Sequence, residues 1–260
     1  MPIRTPSGVL KARLNAGEVV GCHWLSLGSP ALLELATAAG ADTLVVDMQH
    51  GLWDRAGLEA AIGTANASAT LLVRTADQSS YAISSALDAG ADGIIAPLVD
   101  SAEQCAAVVQ AARFPPEGRR SAGGVRPLVD FGAYRAAADQ HLVVSVMIET
   151  AEAVEAAQAI AATPGLDMIF IGTGDLALSL GAGPDAPSFE AALQRVLTAG
   201  RTNGVAVGAF TPDLDHALRR ATQGFQFVVF ANDIDQNLAK LAQQRQAFAE
   251  GLSAAARLPS

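Results

Sequence analysis

At 260 residues, half of them apolar and only 17% charged, the chain can bury a sizeable core in one large α/β unit, which excludes an intrinsically disordered protein. A net charge of −9 with no run of Lys and Arg leaves no phosphate-neutralising stripe, so nucleic acid is not an expected partner. No apolar run approaches the ~20 residues needed to span a bilayer, Met1-Pro2-Ile3-Arg4-Thr5 lacks the apolar core of a signal peptide, and Cys22 and Cys105 cannot build a disulfide framework; a cytoplasmic protein without a membrane partner is expected.

Short apolar runs alternate along the chain with Ala-rich segments of helical period. A first strand over 19–25 precedes a helix over 31–39, and a strand over 43–47 precedes a helix over 58–68. The pattern continues with strand 70–73 and helix 81–87, strand 93–96 and helix 103–113, strand 142–148 and helix 151–162. It closes with strand 167–171 and helix 189–203, strand 205–209 and helix 213–222, then strand 226–230 and a long helix over 233–252. Most strands are continuously apolar, as in a parallel sheet buried on both faces. Eight such units predict a closed (β/α)8 barrel forming a single domain over residues 1–260.

Punctuation repeats with the elements. Gly40, Gly90, Gly165 and Gly224 each stand where a helix must stop and the chain reverse, the left-handed position that costs glycine no Cβ clash. The stretch 114–140, with Pro115-Pro116-Glu117-Gly118-Arg119-Arg120 and Gly123-Gly124, breaks the rhythm. It is expected to be either a lid on the top face or a subunit contact.

In such a barrel the active site lies at the C-terminal ends of the strands. The second strand ends Val45-Val46-Asp47-Met48-Gln49-His50-Gly51, the third Leu72-Val73-Arg74, the fifth Met147-Ile148-Glu149, and the sixth runs into Ile171-Gly172-Thr173-Gly174-Asp175. Glu149 and Asp175, on neighbouring strands, form an oxygen-rich pair suited to Mg²⁺ or Mn²⁺; a salt bridge to an arginine, or a helix cap at Asp175, is the structural alternative. His50 is either a surface loop residue or an acid–base group oriented by Asp47. Arg74 either pairs with Glu149 or meets a developing enolate oxygen. His23, His141 and His216 read as structural. Gly172-Thr173-Gly174 lets backbone N–H groups approach an anion, although no phosphate loop is present. The chain has two lysines, Lys11 before the first strand and Lys240 in the last helix. Neither is placed for a Schiff base, so metal-assisted enolisation is the better route for a carbon–carbon lyase on this scaffold.

The chain resembles the HpcH/HpaI family of metal-dependent pyruvate aldolases over nearly its whole length. The likeness is carried by Asp47-Met48-Gln49-His50-Gly51, Val73-Arg74, Ala86-Leu87-Asp88-Ala89-Gly90-Ala91-Asp92, Arg113-Phe114-Pro115-Pro116-Glu117-Gly118, Met147-Ile148-Glu149-Thr150 and Phe170-Ile171-Gly172-Thr173-Gly174-Asp175-Leu176. The resemblance implies a barrel of the phosphoenolpyruvate/pyruvate type with its C-terminal helix exchanged between subunits, assembled as a hexamer, a trimer of dimers. It implies one divalent ion (Mg, Mn, Co or Zn) on Glu149 and Asp175 and no organic cofactor. Arg74 would steady the enolate, His50 would be the acid–base group associated with Asp47 and Asp88, and Gly172, Thr173, Gly174 and Trp24 would contact the substrate. The chain departs from the family's pattern at Thr75, Thr173, Ala177 and Ser121, which bear on pocket shape rather than on the ligands.

The activity so implied joins pyruvate or hydroxypyruvate to an aldehyde, reversibly, to give a 4-hydroxy-2-oxo acid. Two rivals are a malyl-CoA-type lyase, which needs a nucleotide site and usually further C-terminal sequence, and a barrel that only binds a 2-oxo acid.

Overall fold

The computed structural model describes residues 5–65 and 69–255. Eight parallel strands close a barrel in chain order: β1 (Val20–Leu25), β2 (Thr43–Asp47), β3 (Thr70–Arg74), β4 (Gly93–Ala96), β5 (Val143–Ile148), β6 (Met168–Ile171), β7 (Ala206–Ala209) and β8 (Phe227–Asn232). The helices are α1 (Val9–Asn15), α2 (Pro30–Ala38), α3 (Arg55–Thr64), α4 (Ser80–Ala89), α5 (Ala102–Ala112), α6 (Val125–Val129), α7 (Phe131–His141), α8 (Ala151–Ala161), α9 (Thr173–Leu180), α10 (Pro187–Asn203), α11 (Leu214–Gln223) and α12 (Asp233–Ala255). All eight expected strands form within two residues of their expected ends. The expected end of the second helix, at 66–68, lies outside the described residues.

Two layers of core follow from the period-two alternation of the strands. Cys22, Trp24, Val45, Leu72, Ile95, Met147, Phe170 and Val229 turn inward and fill the barrel. Their neighbours Leu44, Val46, Leu71, Val73, Ile94, Val146 and Ile169 turn outward against the helices. Leu10 and Leu14 of α1 join the inner cluster. Lys11 of that helix pairs with Asp167 at 2.8 Å beside the start of β6, so α1 plugs the bottom. Both cysteines are buried, Cys22 inside the barrel and Cys105 on the buried face of α5.

Gly40, Gly90, Gly165 and Gly224 all adopt positive φ, from 85° to 104°, as their place at the helix ends requires. The stretch 114–140 corrects the expectation of a lid. It connects the end of α5 to the start of β5, at the bottom face, and is not irregular throughout, since α6 and α7 lie within it. Arg113 fastens it by donating to the carbonyls of Ala138 and Leu142 and to Asp167, and Tyr134 donates to the Leu87 carbonyl at 3.1 Å. Among the described residues no helix is long and apolar enough to cross a membrane.

Candidate active site

The alternation that turns Val45, Leu72 and Met147 inward also turns Asp47, Arg74 and Glu149 inward, two residues further on, at the top of the barrel. Asp47 and Arg74 are direct partners in the β2–β3 register. The guanidinium takes the carboxylate with two donors: Nε donates to Oδ1 at 2.8 Å and Nη2 to Oδ2. Oδ2 also accepts from the Trp24 indole at 3.2 Å, and Oδ1 from the backbone N–H groups of Gln49 and His50 at 3.0 and 3.2 Å. Burial opposes charge on Asp47, but Arg74, the His50 N–H and the indole outweigh it and hold the carboxyl below its ordinary range. The Arg74 guanidinium also lies 5.1 Å from the centre of the Trp24 ring.

Of the alternatives the sequence leaves open, an Arg74–Glu149 pair and an Asp47 grip on the His50 ring are not what forms. Asp47 does not hold the His50 ring; it holds that residue's main chain and Arg74. Arg74 pairs with Asp47 rather than with Glu149. His50 stands exposed on the loop after β2. Asp88 is at the bottom end of α4, bonded to Arg120 at 2.8 Å, so one chain does not bring it to His50. Trp24 is buried, stacked on Phe170 with centroids 5.4 Å apart, and forms the floor beneath Asp47. Asp213 caps α11 by accepting from the His216 N–H and also meets that residue's ring, and His23 faces the outer flank beside Phe230, where burial lowers its pKa against the pull of Asp233.

Glu149 follows β5 directly and is 2% exposed. Its Oε1 accepts from the Leu98 N–H at 2.8 Å. Gly172 donates to the Ile148 carbonyl at 3.1 Å, which seats the start of α9 against Glu149. A Cβ at Gly172 would stand 2.5 Å from Glu149 Oε2, so only glycine permits this approach. Asp175 then falls in the first turn of α9, inside the helix rather than at its cap. Burial pushes the Glu149 carboxyl up to about 7; the Leu98 N–H opposes this, Asp175 adds to it and Arg74 opposes it.

These observations test the pair as a cation site. Glu149 is desolvated beside a second carboxylate, and the nearest guanidinium is engaged by Asp47. A negative site so poorly compensated fits a hard dication with oxygen ligands. Among the described residues no three His, Cys, Asp or Glu side chains gather; Glu149 and Asp175 are the two residues that could hold such an ion. The first turn of α9, at Thr173 and Gly174, carries N–H groups of the kind that a helix leaves without intrahelical partners and that could take an anion. Thr173 Oγ1 donates to the Phe210 carbonyl at 3.0 Å and so fixes that turn. Lys11 and Lys240 lie at the bottom and on the outer helix α12, as the sequence implies.

Two residues escaped sequence reasoning. Leu98 supplies the N–H to Glu149, and Gln49 Oε1 is buried beside the Asp47 loop with no partner. Gln49 sits in the 47–51 motif and was open to notice; Leu98, an apolar residue among apolar residues, carried no signal.

The HpcH/HpaI aldolase/citrate lyase family model matches residues 21–239. A hydroxypyruvate/pyruvate aldolase of Paraburkholderia phytofirmans is 32% identical over 93% of this chain and 96% of its own. A 4-hydroxy-2-oxovalerate aldolase of Rhodococcus jostii is 36% identical over 95% and 96%. The crystal structure of an aldolase/citrate lyase family protein from Burkholderia cenocepacia superposes with a TM-score of 0.87 at 34% identity, over 94% of this chain and all of that one.

Proposed function

The chain belongs to the HpcH/HpaI aldolase/citrate lyase family, and from that premise we infer a carbon–carbon lyase of the pyruvate/hydroxypyruvate aldolase kind. It joins pyruvate or hydroxypyruvate to an aldehyde, reversibly, giving a 4-hydroxy-2-oxo acid. Neither a malyl-CoA-type lyase nor a non-catalytic binder gains support from relatives named as aldolases. The observation that carries the site assignment is the buried Glu149, its carboxyl raised by desolvation and by Asp175, at the mouth of a barrel whose only two lysines lie elsewhere.

Glu149 and Asp175 would hold one divalent ion, which would supply Lewis-acid withdrawal of electron density from the 2-oxo group of the donor. The substrate carboxylate is received by the backbone N–H groups of Thr173 and Gly174, in the turn that Gly172 opens while its own N–H stays on the Ile148 carbonyl. Arg74, oriented by Asp47, directs its remaining donors at the ketone oxygen as negative charge develops there. Its place is preset by the carboxylate and the indole of Trp24, so little reorganisation is needed when that charge appears. His50 exchanges a proton with the aldehyde-derived hydroxyl, its exposure giving it access to water. Metal-free protein and Glu149→Ala should each lose turnover, with activity of the former restored by added Mg²⁺ or Mn²⁺; full activity of rigorously metal-free protein would end this reading.

The same chain reads as a cytoplasmic homo-oligomer of single-domain subunits spanning residues 1–260. Support for assembly comes from α12. Ile234, Leu238, Leu241, Phe248 and Leu252 recur on one helix face, each 41–69% exposed. The flank of the barrel beside β8 offers a cleft of about 390 Å³ lined by Leu32, Leu35, Ala36 and Phe230, where a further helix would pack. A second copy's α12 suits that cleft, in keeping with helix exchange in a hexamer. Asp88 would then serve a neighbour's His50. Light scattering on the intact protein, and on a variant lacking residues 238–260, measures the assembly directly.

A further inference from the structure

Just beyond β4 the backbone takes a turn that ordinary residues avoid. Leu98 has φ of 55°, the single non-glycine left-handed position among the described residues. Such a conformation persists only where its surroundings over-determine it. Here three main-chain bonds do so. The Leu98 N–H donates to Glu149 Oε1 at 2.8 Å, its carbonyl accepts from Gln78 Nε2 at 2.7 Å, and the Val99 N–H donates to the Met147 carbonyl at 3.2 Å. Burial of the side chain does not explain the turn, because Leu98 is 44% exposed. On the far side of the same carboxylate, Oε2 lies against Gly172, the residue that opens α9 and leads to Asp175.

We propose that Leu98 is a positioning residue for Glu149. Its left-handed turn aims a main-chain N–H at one carboxylate oxygen and thereby fixes the other on the Asp175 side, ready to share a cation. The proposal deepens the functional reading above and rests on Glu149 as a ligand. A group that orients a ligand in this way commonly matters as much as the ligand's own chemistry.

Two causes order the substitutions differently. If the direction of the N–H matters, tolerance for left-handed backbone decides. Asn then serves at position 98 and β-branched Ile does not. If an apolar side chain matters, L98I resembles the wild type and L98N fails. Calorimetric titration of metal-free protein with Mn²⁺ separates them. L98I should bind Mn²⁺ roughly ten- to a hundredfold more weakly than wild type, while L98N keeps its affinity. Crystal structures of metal-free wild type and L98I supply a readout independent of function, with Glu149 turned away from residue 98 in the variant. Wild-type affinity in L98I, an unmoved Glu149 in its crystal, or weakened binding in folded L98N would each overturn the proposal. Where L98I does not fold, L98N alone decides. A wild type that binds no Mn²⁺ would overturn the metal reading instead, and the Glu149 position in L98I would still settle the positioning role.

Discussion

Asp47 and Arg74 meet in register at the tips of β2 and β3, and the guanidinium holds both oxygens of a carboxylate that is only 2% exposed. Removing one partner of a buried pair leaves the other uncompensated, at a cost of about 3–5 kcal/mol. Asp47→Ala should therefore lower the melting temperature and, by freeing Arg74, reduce kcat/KM by roughly a hundredfold. Arg74→Lys keeps the charge but not the two-pronged grip, and should be nearly as impaired. Melting curves with steady-state kinetics check both, and wild-type kinetics in folded D47A would contradict the arrangement.

Glu149 makes the metal-free protein pH-sensitive in a defined direction. Its carboxyl titrates near 7 when folded, above its ordinary range, so the folded state binds more protons than the unfolded state between about pH 4.5 and 7. Stability contributed by this group is complete below the unfolded pKa and declines as pH rises through that window, by at most of order 3 kcal/mol. Denaturant unfolding of metal-free protein should show the decline, and Glu149→Gln should flatten it. Added Mn²⁺ competes with the proton and should restore stability at neutral pH; an E149Q profile parallel to wild type would assign the slope elsewhere.

The lysines make a prediction about trapping. Lys11 is paired with Asp167 and Lys240 bonds Gln243, both away from the mouth. Borohydride added in the presence of pyruvate should leave the mass of the intact protein unchanged and the activity undiminished. A mass increase at either lysine would demand a Schiff-base route.

Gly172 leaves no room for a side chain. A Cβ there would meet Glu149 Oε2 at 2.5 Å, Glu149 Cβ at 3.0 Å and Met147 Sδ at 3.0 Å. Gly172→Ala should cost about 1–3 kcal/mol of stability by overpacking and at least about tenfold in Mn²⁺ affinity, because the ligand must turn aside. Equal affinity in G172A would place the ligand oxygen elsewhere.

Much of this was readable from residues alone, for identifiable reasons. Strands such as 43–47 and 93–96 announced themselves because both faces are buried, and Gly40, Gly90, Gly165 and Gly224 because the helix ends need left-handed backbone. The charged cluster was readable as well, since Asp47, Arg74 and Glu149 stand at the C-terminal ends of their strands, where a barrel keeps its site. What the chain could not disclose was pairing. Arg74 chooses Asp47 over Glu149 through the β2–β3 register, which is set by the closed barrel and not by local sequence. Helices α6 and α7 were hidden behind the Pro- and Gly-rich segment 115–124, whose turn signals masked the helical stretch after it. Leu98 was invisible because its role lies in its main chain.

The two thiols of this chain are its only cysteines, and both are sealed. Burial raises Cys22 well above the ordinary thiol range and Cys105 to about 11. Thiolate is the reactive form, so alkylating and oxidising reagents find nothing to attack in the folded molecule. A single cysteine introduced on the exposed surface of α12 would be the one addressable thiol, and a fluorophore or spin label there would report whether copies of the chain associate, without any prior removal of native sulfur.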